Sequence, residues 1–116
     1  MPEQDCLFCK IVKKEVASDI IDENDEVLVI KDIHPKAPVH LLILSKRHVP
    51  SVKDLKGGDS ELAAAMILQA QKTAGANGMN GYKLVFNVGR EGGQVIDHLH
   101  LHLLGGWGNV TNKVEV

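Results

Sequence analysis

The segment His98-Leu99-His100-Leu101-His102-Leu103 alternates imidazole and leucine without a break. On a β-strand successive side chains point to opposite faces, so His98, His100 and His102 share one face while the leucines bury the other. Next-but-one residues lie roughly 6.5–7 Å apart, two rises of ~3.3 Å, close enough for three imidazoles to ring one small anion or metal ion. Two chemistries fit. Neutral imidazoles can hold a metal that acidifies water, which would make the chain a His-ligated metallohydrolase. Alternatively one imidazole is the nucleophile: one ring nitrogen attacks phosphorus, the other donates to a fixed acceptor, and neighbouring groups hold the phosphate oxygens. The turn Gly89-Arg90-Glu91-Gly92-Gly93-Gln94 before the strand suits the second use, because glycine lets backbone N–H groups approach a phosphate. Separately, Cys6-Leu7-Phe8-Cys9 sets two thiols at i and i+3, half of a zinc site by spacing.

Several elements must position these groups. Helical spacing of Leu7, Ile11 and of Phe8, Val12 predicts a short amphipathic helix over Cys6–Lys14. Two short β-branched runs, Glu26–Asp32 and Val39–Leu44, read as strands bounded by Pro35 and Pro38. Asp59 or Ser60 is placed to cap a helix over Glu61–Ala74, with a buried stripe of Leu62, Met66, Ile67, Ala70 and Ala74 and with Gly75 and Gly78 to stop it. Tyr82–Val88 and Asp97–Leu104 read as the last strands. Consecutive strands with one long helix inserted predict an α+β domain: an antiparallel sheet with helices against it, in a single domain over 1–116 whose polar tail is about 107–116. Asn109-Val110-Thr111 fits a glycosylation sequon, idle in a cytosolic chain.

Composition narrows the function. The chain has 116 residues, 44% hydrophobic and 24% charged, enough apolar material for a core. A net charge of −2 argues against a nucleic-acid binder with a broad basic face. No apolar run approaches the ~20 residues needed to span a bilayer, and the start is too acidic for a signal peptide, so no membrane association is expected. Two cysteines cannot staple a secreted mini-protein, and a cytoplasmic location with reduced thiols is expected. Six histidines against four aromatic residues again direct attention to imidazole.

The run His98–Leu104 has the form His-φ-His-φ-His-φ-φ, with φ apolar, and resembles the histidine triad (HIT) signature. The similarity continues in Leu7–Val12, in Asp32-Ile33-His34-Pro35-Lys36-Ala37-Pro38-Val39-His40, in Lys46-Arg47-His48 and in Gly92-Gly93-Gln94. It is greatest to the nucleotide-binding branch whose members hydrolyse purine nucleoside 5′-phosphoramidates. The resemblance implies a HIT-like sheet of about five strands with one long and one short helix, in a homodimer.

It also implies roles. His100 would attack the α-phosphorus and form a nucleotidyl-histidine, His102 would contact the phosphate, and His98 and His40 would orient groups and relay protons. Asp32 would accept hydrogen bonds from the ribose hydroxyls. Leu7, Phe8, Ile11, Ile20, Ile30 and Ile33, with Leu28, would form an apolar slot for the base. Asn87 would hold the phosphate or leaving-group side, and Gly93, Gln94 and Val95 would supply backbone contacts. No cofactor would be needed for catalysis, but Cys6, Cys9, His48 and His98 would together bind a structural zinc, making His98 a brace for His100. Two departures stand out: Val95 replaces a serine found in some relatives, and the tail after Gly106 lacks the Trp-Pro-Pro ending of the animal proteins, with Trp107 as its nearest counterpart. A non-catalytic nucleotide-binding scaffold is the remaining alternative.

Overall fold

The computed structural model describes residues 5–108. The elements run α1 (Leu7–Val12), β1 (Ile20–Glu23), β2 (Val27–Lys31), β3 (Val39–Ser45), α2 (Ser60–Ala76), β4 (Tyr82–Val85) and β5 (His100–Gly105). The strands form one antiparallel sheet in the order β1-β2-β3-β5-β4, the α+β arrangement expected. The parts of the tail beyond Gly108, including the Asn109 sequon, lie outside the described residues.

Why β2 and β3 are apolar at nearly every position follows from the layers. Residues paired across an antiparallel ladder share a face. One face carries Val27, Val29, Leu41, Ile43, Leu101 and Leu103, and packs on Leu62, Met66, Ala70 and Ala74 of α2. The other carries Leu28, Ile30, Leu42 and Leu44, and packs on Cys6, Phe8, Cys9 and Ile11 around α1. With both faces covered, Val27–Ile30 is buried at four consecutive positions. At 25 cal/mol per Å2, each fully buried leucine or isoleucine contributes on the order of 2 kcal/mol.

The structure amends the expected elements. Strand β1 was not expected: Ile20–Glu23 has four residues, two of them acidic, and an irregular register at Ile20/Asp22, so it carries no alternation to read. Helix α2 extends through Gly75 to Ala76 and stops at Asn77, with Gly78 at φ +68°. Asp59 precedes it without a capping bond from its side chain, which accepts from the Lys56 N–H at 2.9 Å instead. Ile67 is 48% exposed; Gln69 and Thr73 take buried places on the stripe, bonded to each other at 3.0 Å. Strand β4 ends at Val85, and β5 begins only at His100. Before it, His98 N–H turns back to the Ile96 carbonyl and Leu99 N–H donates to Val49, so His98 sits in a bend outside the ladder.

Candidate active site

The alternating run does divide as its period requires, leucines to α2 and imidazoles toward α1, but the three histidines do different things. His100 and His102 stand on β5 opposite Leu44 and Leu42. Their ring centroids are 5.1 Å apart, and Phe8 of α1 packs edge-on to His100 at 5.1 Å. His100 Nδ1 lies 2.6 Å from the His98 carbonyl, an acceptor only, so Nδ1 carries the proton and Nε2 keeps its lone pair. Burial lowers the His100 pKa, partly countered by that hydrogen bond and by the Asp32 charge. The ring is therefore neutral near pH 7, as a nitrogen nucleophile must be.

His102 is fixed from the other side. The Lys36 N–H donates to His40 Nδ1 at 3.0 Å, which places the His40 proton on Nε2. That Nε2–H faces His102 Nδ1 at 2.9 Å and Asp32 Oδ2 at 3.3 Å. His102 Nδ1 then accepts, so its own proton is on Nε2. Burial, followed by the neighbouring His100 and His40, pushes the His102 pKa down to about 4. Burial likewise lowers His40, against the opposing pull of Asp32. Asp32 follows the end of β2, and its Oδ1 accepts from the His34 N–H at 2.8 Å.

His98 faces a different set of partners. Its Nε2–H donates to the Ser45 carbonyl at 2.6 Å, directing the Nδ1 lone pair at Cys6 Sγ (3.2 Å), Cys9 Sγ (3.4 Å) and His48 Nδ1 (3.3 Å). Cys9 Sγ is also 3.2 Å from His48 Nδ1. The loop after β3 brings His48 here because Leu99 N–H ties to Val49 and the Gln94 amide ties to Pro50. Cys6 caps α1, its sulfur accepting from the Cys9 N–H at 3.4 Å. A tetrahedral zinc with bonds of ~2.3 Å to sulfur and ~2.0–2.1 Å to nitrogen sets its donors roughly 3.3–3.8 Å apart. The donor types and spacings here fit that ion. His98 is thus not placed to relay protons with His40; what it offers His100 is its carbonyl. Among the described residues the metal-ligand groupings are this one and Asp32/His40/His102, and neither gathers His98, His100 and His102 as a metallohydrolase would require.

The glycine turn corrects two further expectations, the backbone donors of Gly93 and Gln94. Gly89 and Gly93 adopt φ +70° and +89°, which favours glycine. The N–H groups of Gly93 and Gln94 are spent inside the turn, on Arg90 and Gly89 carbonyls, so they cannot also bind a phosphate. Gln94 is 3% exposed, and its side chain bonds Gly89 N–H, Pro50 and Ile96. Val95 is 79% exposed, and its N–H is outside the turn's own hydrogen bonds, as are those of Arg90, Glu91, Ile96 and Asp97. Asn87 donates to the Gly92 carbonyl at 2.9 Å, bracing the turn. Arg90 clamps it from outside through Asp97 and the Gln94 carbonyl. A buried glutamine and a turn arginine carry no spacing signal, which is why sequence reasoning missed their role.

The apolar residues expected to hold a base separate by exposure. Ile33 is 82% exposed, and Leu7 and Ile20 are partly so, whereas Phe8, Ile11 and Ile30 are buried and Leu28 is enclosed in the core.

The family described as "Scavenger mRNA decapping enzyme C-term binding" matches residues 5–111. The chain is 39% identical over 105 residues to a purine nucleoside phosphoramidase of Escherichia coli (strain K12), covering 89% of this chain and 88% of that protein. It superimposes on a HIT family hydrolase from Legionella pneumophila Philadelphia 1 with TM-score 0.86 and 47% identity, over 88% of this chain and 93% of that one. A zinc-bound histidine triad family protein from Mycobacterium smegmatis aligns with TM-score 0.84 at 27% identity, over 95% of this chain and 81% of that one. A nucleophile-ready imidazole on the alternating strand and likeness of this extent lead to one conclusion: the chain is a hydrolase of the histidine triad family.

Proposed function

We propose that this hydrolase cleaves the P–N bond of purine nucleoside 5′-phosphoramidates through a covalent intermediate on His100. The observation that carries the reading is the 2.6 Å contact between His100 Nδ1 and the His98 carbonyl, which leaves a neutral Nε2 lone pair as nucleophile. That nitrogen bonds to the α-phosphorus and the P–N bond breaks, its electron pair staying with the leaving nitrogen, which takes a proton from solvent and departs as the amine. Water then attacks the nucleotidyl-His100 and releases the nucleoside monophosphate. The Nε2–H of His102 and the N–H of Val95 hold phosphate oxygens as charge builds on them. Asp32 accepts the ribose hydroxyls, and the base lies on the shelf of Leu7, Ile20 and Ile33. The activity of the Escherichia coli relative supports this substrate class.

Cys6, Cys9, His48 and His98 would hold a structural zinc, which when bound would stabilise the fold and fix the backbone of His98. Reduced thiols in that role suit a cytoplasmic setting. We further propose a homodimer; outer strand β4 and the exposed Ile67 and Leu68 of α2 offer surface for a second copy.

The test is His100→Ala with an adenosine phosphoramidate. Turnover is expected to fall by at least about 10^3-fold, as loss of a nucleophile does, while AMP still binds. Wild-type protein quenched in base is expected to carry one nucleotidyl adduct, on His100, in a mass spectrum. Unchanged turnover in the variant defeats the reading.

A further inference from the structure

His40 is hydrogen-bonded to His102 and lies in close charge contact with Asp32. Its Nδ1 is occupied by the Lys36 N–H, so the ring has one proton to give, on Nε2. Two groups lie within reach of it: His102 Nδ1 at 2.9 Å and Asp32 Oδ2 at 3.3 Å. The His40 side chain is almost wholly buried, so water screens the Asp32 charge only weakly, and the Asp32 carboxylate is pinned through Oδ1 by the His34 N–H. Asp32 nonetheless remains partly exposed, and each carboxylate oxygen has two lone-pair sites, so a ligand hydroxyl can still bond to it.

We propose that Asp32 is a positioning residue that reports sugar occupancy to the triad. A ribose hydroxyl bonding to Oδ2 draws that oxygen away from His40. With the carboxylate's pull on the His40 proton gone, the bond from His40 Nε2–H to His102 Nδ1 strengthens, and His102 in turn is oriented as a donor toward the phosphate. The inference rests on the nucleotide reading above but adds to it: the sugar changes the rate of the chemical step as well as the affinity. A carboxylate whose only task were to bind ribose would alter KM alone.

Adenosine and 2′,3′-dideoxyadenosine 5′-phosphoramidates separate the two, together with Asp32→Asn, which keeps an acceptor for the His34 N–H. In wild type the dideoxy substrate is expected to show a kcat about fivefold lower, the worth of one net hydrogen bond. In Asp32→Asn the kcat values of the two substrates are expected to become equal. A second readout does not use turnover. With AMP bound, the His40 Nε2–H proton resonance is expected to move downfield as its bond to His102 strengthens; with dideoxy-AMP bound it is expected to stay. Equal wild-type kcat values with unchanged spectra for both bound nucleotides overturn this inference and leave the proposed function intact. Failure of AMP to bind at all overturns both.

Discussion

Two clusters in this protein are built from similar parts and do opposite things. Each joins two imidazoles to potential anionic ligands, thiols in one and a carboxylate in the other, with all ligand atoms of a cluster within 4.8 Å of one another. In the cysteine cluster, the far nitrogen of His98 donates to the Ser45 carbonyl, so a lone pair points inward. In the Asp32 cluster, the far nitrogen of His40 accepts from the Lys36 N–H, so a proton points inward. Inward lone pairs suit a cation, whereas an inward proton makes a hydrogen-bond chain and must be displaced before any metal can bind. The backbone partner on the outer face of a histidine therefore decides what its inner nitrogen can do.

Metal titration is the harshest way to break that contrast. Wild type is expected to take up one zinc equivalent tightly; Cys9→Ser is expected to lose it and Asp32→Asn to keep it. With free zinc about 100 times its dissociation constant, the ion stabilises the fold by about 2.7 kcal/mol, read as a loss of that size in the unfolding free energy of Cys9→Ser from urea denaturation. A second tight equivalent that disappears in Asp32→Asn would erase the distinction.

Proton linkage gives a somewhat smaller effect at the other cluster. The folded pKa of His102, about 4, lies below the ordinary 6.5. The unfolded chain therefore binds the proton first, and the stability this group contributes is full above pH 6.5 and lost as pH falls toward 4. Between pH 7 and pH 5 the loss stays below about 2 kcal/mol, its size without solvent screening. Urea unfolding at the two pH values is expected to show it, and His102→Asn to reduce the difference. A pH-independent midpoint in wild type would mean that His102 is not held neutral.

The smallest effect is expected at Val95, which touches the comparison only by exclusion. If the loop serves the phosphate through its N–H, Val95→Ser changes kcat/KM by less than about tenfold, one added hydrogen bond at most, and alters neither zinc uptake nor stability. A larger change would show that the side chain at this position, not the backbone, governs the leaving group.

Much of this was legible in order along the chain. Period-two alternation placed the leucines of β5 against the long helix, and the β-branched runs marked β2 and β3, because burial on one or both faces writes itself into residue type. The set Cys6, Cys9, His48 and His98 was legible through resemblance, and the fold does bring its four ligand atoms together. What alternation could not convey was that the ladder begins at His100. That depends on His98 N–H turning to Ile96 and Leu99 pairing with Val49, contacts made by backbone atoms identical in every residue. The same holds for the turn before β5, where the N–H groups of Gly93 and Gln94 are consumed internally and a buried glutamine amide does the tying.

The sequence by itself determined which residue types lie on which side of the sheet, because hydrophobic burial acts on side chains and its period is local. Only the tertiary structure decided the hydrogen inventory of the imidazoles: His100 with a lone pair on Nε2, His98 with one on Nδ1, His40 with a proton on Nε2. Each assignment is made by a backbone group, the carbonyls of His98 and Ser45 and the N–H of Lys36, whose contact with the ring no local pattern marks. A histidine's second nitrogen answers to whatever the fold brings beside it.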